Sequence, residues 1–358
     1  MQLDGRDLTI LRLAGSYRWL PYGILSQLGL ISRNGEISLL VKLGLLSLSS
    51  KNRYIKLTQQ GYDTLHKHGY DYDPGSKRAY ANSAALRRRL EVSSVALTAL
   101  RAGIDVLPDD IDALSSQPTF FPAFSLRTGG SNLMNAANCA GFGHWGDNGY
   151  MLQYVSPDSC GMYLTNELSH FHNLSPIFDS KLKTKLSMIL AGSSYSDIYK
   201  QLSGNAPSSR HGKHGFHDFW DVCRKTDMPI HLLSCDGTGA MQLAIMRQPD
   251  YNARIAKAAF GGDWNQYDDN IPDADGSVNG NPLVIAADVD KHRVERICKL
   301  ARSQGRSEVM IAALKNQLED FYKPCFPKGS LITLLSIGQP VLDDAFGKGL
   351  SLFSMEDD

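Results

Sequence analysis

The side chains best suited to chemistry fall in a few short runs. His211, His214 and His217 recur at every third position of RHGKHGFHDFW. Imidazoles gathered by a loop can ligate zinc, but the glycines between them, and the lack of a cysteine within the run, favour a solvated basic loop. Glu167 and His170, in NELSHFH, stand three residues apart and would share one face of a helix. That spacing suits an acid–base or metal pair, although surface or capping contacts are the plainer account. Gly237-Thr238-Gly239 follows an apolar stretch, yet a dinucleotide fingerprint needs a third glycine where this chain has Gln242. A strand–turn–strand over 230–246 is therefore expected. Asp288 and Asp290 close a strand, a place where α/β proteins often build sites, although Asp290 also suits a helix N-cap. There is no G-x-S-x-G elbow and no Walker loop.

At 358 residues the chain is long enough for two or three domains. No apolar run approaches the roughly 20 residues of a membrane span, and the N-terminal stretch lacks a signal-peptide pattern. A cytoplasmic protein with no membrane partner is expected. The six cysteines never form C-x-x-C, so buried free thiols are expected. Net charge is zero but uneven: residues 1–106 carry 15 Lys and Arg against 8 Asp and Glu, a net +7, and the remainder carries −7. A basic first third on an acidic body suits one domain facing a polyanion.

The elements that would face such a partner lie at 33–58. Ile37, Leu40 and Val41 are apolar at helical spacing, and Gly44 can end that helix. Leu46–Leu48 and Arg53–Thr58 alternate as two strands of a hairpin turned by Ser49–Asn52. A helix followed at once by a hairpin is the core of a winged helix-turn-helix. Around it, Asp4 can cap a helix over 4–17, Pro21 opens a second helix ended by Gly29, and Thr58 caps a fourth ended by Gly69. Residues 1–70 are thus read as a winged helix-turn-helix domain and 71–80 as a linker. A long helix follows over 81–103; its Arg87-Arg88-Arg89 cannot all share one face, so at least one should form a core-edge or interdomain salt bridge and one or two can meet phosphate.

From 106 the pattern changes to α/β. Strands are expected at 120–127, 150–155, 186–191 and 230–234, with a Gly/Asn-rich loop over 129–149. Residues 81–260 are read as an α/β domain, 261–282 as a long loop, and 283–350 as a C-terminal α/β unit whose βαβαβ rhythm can continue the same sheet. The expected fold class is α+β and α/β: a winged helix-turn-helix followed by an α/β body with a mixed sheet.

Tyr54, Leu57-Thr58 and Gly61, then the helix at 81–103 and the strands at 120–127 and 150–155, resemble the replication-relaxation family of mobile-element proteins, relatives of MobC-type plasmid mobilisation proteins. The resemblance covers roughly residues 1–202. It implies a restriction-endonuclease-like body, carriage on a mobile element, and partners in replication or transfer. The family's nuclease centre would require carboxylates to hold a divalent metal where this chain has Ala123, after Pro122, and Gln153. A degenerate nuclease fold kept as scaffold is therefore implied.

These readings converge on a non-catalytic protein that binds double-stranded DNA, with no cofactor, and with a body that dimerises or recruits a partner. Asn34, Ser38 and Lys42, with Glu36 beside them, would face base edges, and Arg33, Lys51 and Arg53 would contact phosphates. Two alternatives stay open: a metal-dependent nicking nuclease, and a winged helix that binds protein.

Overall fold

Asp4 starts the first helix as its side chain predicts, its carboxylate accepting the Asp7 N–H at 2.7 Å. The computed structural model describes residues 3–31, 35–49, 53–72, 84–109, 118–125, 139–155, 185–202, 228–267, 271–326, 331–350 and 352–353. Helix α1 (Gly5–Tyr17) buries Ile10, Leu11, Leu13, Ala14 and Tyr17. Strand β1 (Leu20–Pro21), α2 (Tyr22–Gln27), α3 (Gly35–Lys42), β2 (Leu46–Leu48), β3 (Tyr54–Leu57) and α4 (Gln59–Lys67) follow.

Strand β1 is a feature that sequence reasoning did not find. It pairs antiparallel with β3, Leu20 opposite Ile55, while β2 flanks the other side with Leu46 opposite Leu57. The sheet order is β1-β3-β2. Pro21 has no N–H to donate, and the outer position of this two-residue strand tolerates that. Helix α3 closes with paired bonds from Gly44 N–H to Val41 O and from Leu45 N–H to Leu40 O, the Schellman pattern. Thr58 caps α4, its hydroxyl oxygen accepting the Gly61 N–H at 3.1 Å.

Helix α5 (Ala84–Arg101) leads from this unit into the body. The Ser93 hydroxyl donates to Trp19 O at 2.7 Å, and the Tyr17 hydroxyl donates to Val106 O at 2.8 Å. The first body sheet contains β4 (Thr119–Pro122), β5 (Gly141–Trp145), β6 (Asn148–Tyr154), β7 (Lys185–Gly192) and β8 (Ile230–Ser234), in that order. Strands β4, β5 and β6 are antiparallel neighbours; β7 and β8 continue parallel to β6. Helix α6 (Tyr195–Leu202) follows β7.

Two expectations for this region are corrected. The glycine-rich stretch read as loop contains β5, every residue of which is buried. Its glycines are there for space, since a Cβ on Gly143 would lie 2.1 Å from the Trp145 ring. Residues 237–246 form a helix, α7 (Gly237–Met246), where a turn and a strand were expected. The Asp236 carboxylate accepts the N–H groups of Thr238 and Gly239 at 2.8 and 3.0 Å, which fixes the helical start. Ala240 and Leu243 through Met246 are all buried, so the helix lacks the polar face that would have betrayed its period.

Helix α8 (Tyr251–Phe260) precedes a second five-stranded sheet, built from β9 (Trp264–Asn265), β10 (Ser277–Val278), β11 (Asn281–Ile285), β12 (Val309–Leu314) and β13 (Ile332–Ile337). Its order is β13-β12-β11-β10-β9. The segment read as a long loop at 261–282 thus supplies two short strands. Strands β11, β12 and β13 are parallel and alternate with α9 (Lys291–Ser303), α10 (Lys315–Gln317, a π-helical turn over Leu318–Tyr322, and Lys323–Cys325) and α11 (Gln339–Phe346).

The C-terminal strands do not continue the first sheet. The free side of β8 is met by a turn instead: the Leu232 N–H donates to Val289 O at 3.2 Å, and His231 bridges to Asp290. That turn covers part of the edge a further strand would have used. The architecture is mixed α and β throughout. Among the described residues, no helix is long and apolar enough to cross a membrane.

Candidate nucleic-acid interface

Helix α3 has one side committed to packing and one open. Ile37 and Leu40 are buried, whereas Ser38, Leu39 and Lys42 are exposed. Three residues separate the end of the helix from the hairpin. Its turn end is fixed by the Ser49 hydroxyl, which accepts the Arg53 N–H at 2.9 Å, and by the Tyr22 N–H donating to Arg53 O at 3.1 Å. With its backbone held on both sides, Arg53 keeps its side chain exposed.

Along β3 the burial alternates: Ile55 and Leu57 face the core, and Lys56 faces out, opposite Ser47 of β2. Sequence reasoning did not single out Lys56, although the same alternation that marked the strand places its ammonium in solvent. Among the expected contacts, the structure therefore exposes Ser38, Lys42 and Arg53 on the α3–hairpin unit and adds Lys56. Arg33, Asn34 and Lys51 lie outside the described residues, as does the side chain of Glu36.

Of the three adjacent arginines in α5, Arg89 packs against the body. The Arg89 guanidinium sits 3.7 Å over the Phe124 ring, tying α5 to the residues just after β4. Arg87 and Arg88 are exposed.

In the body, the two positions at which the family resemblance would demand carboxylates share one sheet face. Phe121, Phe142 and Met151 lie opposite one another across β4, β5 and β6. Gln153 follows that row by two residues within β6, which turns it to the same side, and Ala123, just past the end of β4, belongs to the same buried cluster. Both are buried, at 2% and 7% exposure. The face is apolar, packed with Val155, Met188 and Leu190, and Gln153 is its polar member at that position. The other enzyme candidates, Glu167 and His170, and the histidines His211, His214 and His217, lie outside the described residues. Among the described residues, no group of three or more His, Cys, Asp or Glu is arranged to hold a metal.

Asp288 and Asp290 belong to a buried polar network at the end of β11. The Asp288 carboxylate accepts the Tyr251 hydroxyl at 3.0 Å and lies 3.6 Å from His231 Nδ1 and 4.0 Å from Arg293. Arg293 pairs with Asp275, whose carboxylate also accepts the Ile285 N–H at 2.7 Å and the Asn252 amide at 2.9 Å. Burial pushes the Asp275 carboxyl up, and the Arg293 charge works against that shift. Burial raises Tyr251 well above the usual phenol range, with the Asp288 charge adding to it. Asp290 caps α9, accepting the Arg293 N–H at 3.0 Å, and burial raises its carboxyl too.

Bonded to one another, these groups join β11, α8 and α9. An open cleft of about 420 Å³ lies beside them, lined in part by Asp147, Arg247, Tyr251, Trp264 and Asp275. Compared with known proteins, the chain matches no family model, no curated protein and no solved structure.

Proposed function

We propose that residues 1–70 form a winged helix that places α3 in the major groove of duplex DNA, with the hairpin beside it on the phosphate backbone. The observation that supports this is the order α1–β1–α2–α3–β2–β3–α4 around a three-stranded antiparallel sheet, with an outward α3 face carrying Ser38 and Lys42 and a hairpin carrying Arg53 and Lys56. The net +7 of the first 106 residues supplies the matching charge.

In this reading the body is a scaffold of restriction-endonuclease-like type. Helix α5 followed by three antiparallel strands and a parallel fourth is compatible with that fold. Ala123 and Gln153 stand on a buried apolar face, and a site there offers no carboxylate to hold a metal or activate water. The body instead mounts the DNA-binding unit and presents surfaces for a second copy or for replication and transfer proteins, as the family resemblance implies for a mobile-element protein.

The test is duplex binding measured by anisotropy across a salt series. Tight binding at low salt, weakening linearly on a log–log plot, is expected. Replacing Lys51 or Arg53 by Ala should each reduce the slope by about 1, the effect of removing one cation from the phosphate backbone, and Lys42→Ala, which removes a cation held in the groove between the phosphates, should reduce it too. No binding at low salt, or variants indistinguishable from the parent, would count against a DNA partner.

A further inference from the structure

We propose that Leu39 reads the 5-methyl group of thymine, which makes it a specificity-determining residue of α3. This rests on the reading of residues 1–70 as a duplex-DNA binder. Among the described residues, only Leu39, Tyr267 and Leu300 are large apolar side chains left exposed, and Leu39 is 41% exposed. Its neighbours explain that it is not part of the core. Ile37 and Leu40 point inward at 2% and 0% exposure, so α3 is already seated, and Leu39 lies on the opposite side of the helix.

Leu39 and Lys42 are three residues apart and occupy one face, with Ser38 exposed beside them. A protein-docking face would need a contiguous apolar patch. Here one leucine is set among a hydroxyl and an ammonium, on a unit whose hairpin adds Arg53 and Lys56. That mixture fits a groove whose walls are phosphate and whose floor carries an isolated apolar group. In the major groove that group is the thymine methyl, which no other standard base presents. Phosphate contacts from the cations would set the register, and Leu39 would supply base discrimination.

The experiment compares an alternating A·T duplex with the same duplex carrying uracil in place of thymine, using the full chain at low salt. The parent should favour the thymine duplex by about fourfold for each methyl covered. Leu39→Ala should bring the ratio close to one, while Leu39→Met should keep most of it. Both variants should retain the parent's salt slope, which shows that the unit is folded and that its phosphate contacts are intact. Duplex binding by the parent with no thymine preference overturns the assignment, as does a preference that survives in Leu39→Ala. Failure of the parent to bind either duplex overturns the DNA-binding reading itself, and the assignment with it.

Discussion

Gly61 packs against the carbonyl oxygen of Leu45 so closely that a Cβ at this position would lie 2.3 Å from that atom. The contact brings the first turn of α4 onto the start of the hairpin, and Thr58 completes it: its hydroxyl donates to Gly44 O and accepts the Gly61 N–H. The Leu57-Thr58-x-x-Gly61 pattern thus has a physical content, a cap followed by a residue without a side chain. Gly61→Ala should destabilise the N-terminal unit by about 1–3 kcal/mol through overpacking against rigid backbone, and Thr58→Ala by about 1 kcal/mol. Denaturant titration of each variant checks this. A Gly61→Ala midpoint equal to the parent's would show that the hairpin can give way.

Gln242 joins the two body sheets. Its amide nitrogen donates to Leu232 O at 2.8 Å and to Asp288 O at 2.9 Å, and its amide oxygen accepts from the Tyr195 hydroxyl and from Gln317 at 3.2 Å. Gln317 in turn donates to Ala287 O at 2.8 Å. Both glutamines are fully buried, so removing one strands several partners in a low-dielectric setting. Gln242→Ala should cost about 2–4 kcal/mol, combining the broken hydrogen bonds with the cavity left behind. Thermal unfolding of the full chain reads it. A loss below about 0.5 kcal/mol would show that water replaces the amide.

How much of this was legible in the sequence depended on whether each element kept a polar face. Helices α1, α3 and α4 border solvent, and their caps at Asp4 and Thr58 and their spacing predicted them to within a residue or two. Strand β1 is two residues long and carries a proline, which leaves no period to detect. Helix α7 is buried on nearly all sides, so the apolar run Met241–Met246 reads as a strand. Strand β5 was hidden by glycines that serve packing under Trp145, and such glycines usually signal loops. The α3 side of the candidate site could be read from helical spacing, and Lys56 from strand alternation. The network around Asp288 could not, because Asp275, Tyr251 and His231 come from three separate stretches of the chain and meet only when it folds.

Cys235 gives the stability a definite pH dependence. The thiol is buried, and burial pushes it from 9.0 to about 12. Because the folded value is the higher one, the unfolded chain releases this proton first as pH rises. The contribution is fully present below pH 9 and is lost as pH climbs through the window up to about 12. Cys325 shifts the same way, also to about 12, and Cys298 to about 11. In Cys235→Ala, stability should fall less steeply above pH 9 than in the parent, measured by urea titration at stepped pH. At pH 8 the native Cys235 thiol should label slowly with a thiol reagent and rapidly once unfolded. Fast native labelling would show that the site opens.

Arg89 and Lys42 contrast a packed cation with an exposed one. Arg89 lies over the Phe124 ring, where a cation–π contact contributes roughly 0.5–2 kcal/mol, and it reaches back from α5 to the segment after β4. Lys42 is exposed at the end of α3 and makes no comparable contribution to packing. Arg89→Ala should therefore lower the unfolding midpoint while leaving the salt slope of duplex binding unchanged. Lys42→Ala should leave the midpoint within about 0.5 kcal/mol of the parent and reduce the slope. Measured together, the two variants form a crossed pair. If Arg89→Ala altered the salt slope as much as Lys42→Ala, the start of α5 would belong to the DNA-binding surface, and the division drawn among the three adjacent arginines would be wrong.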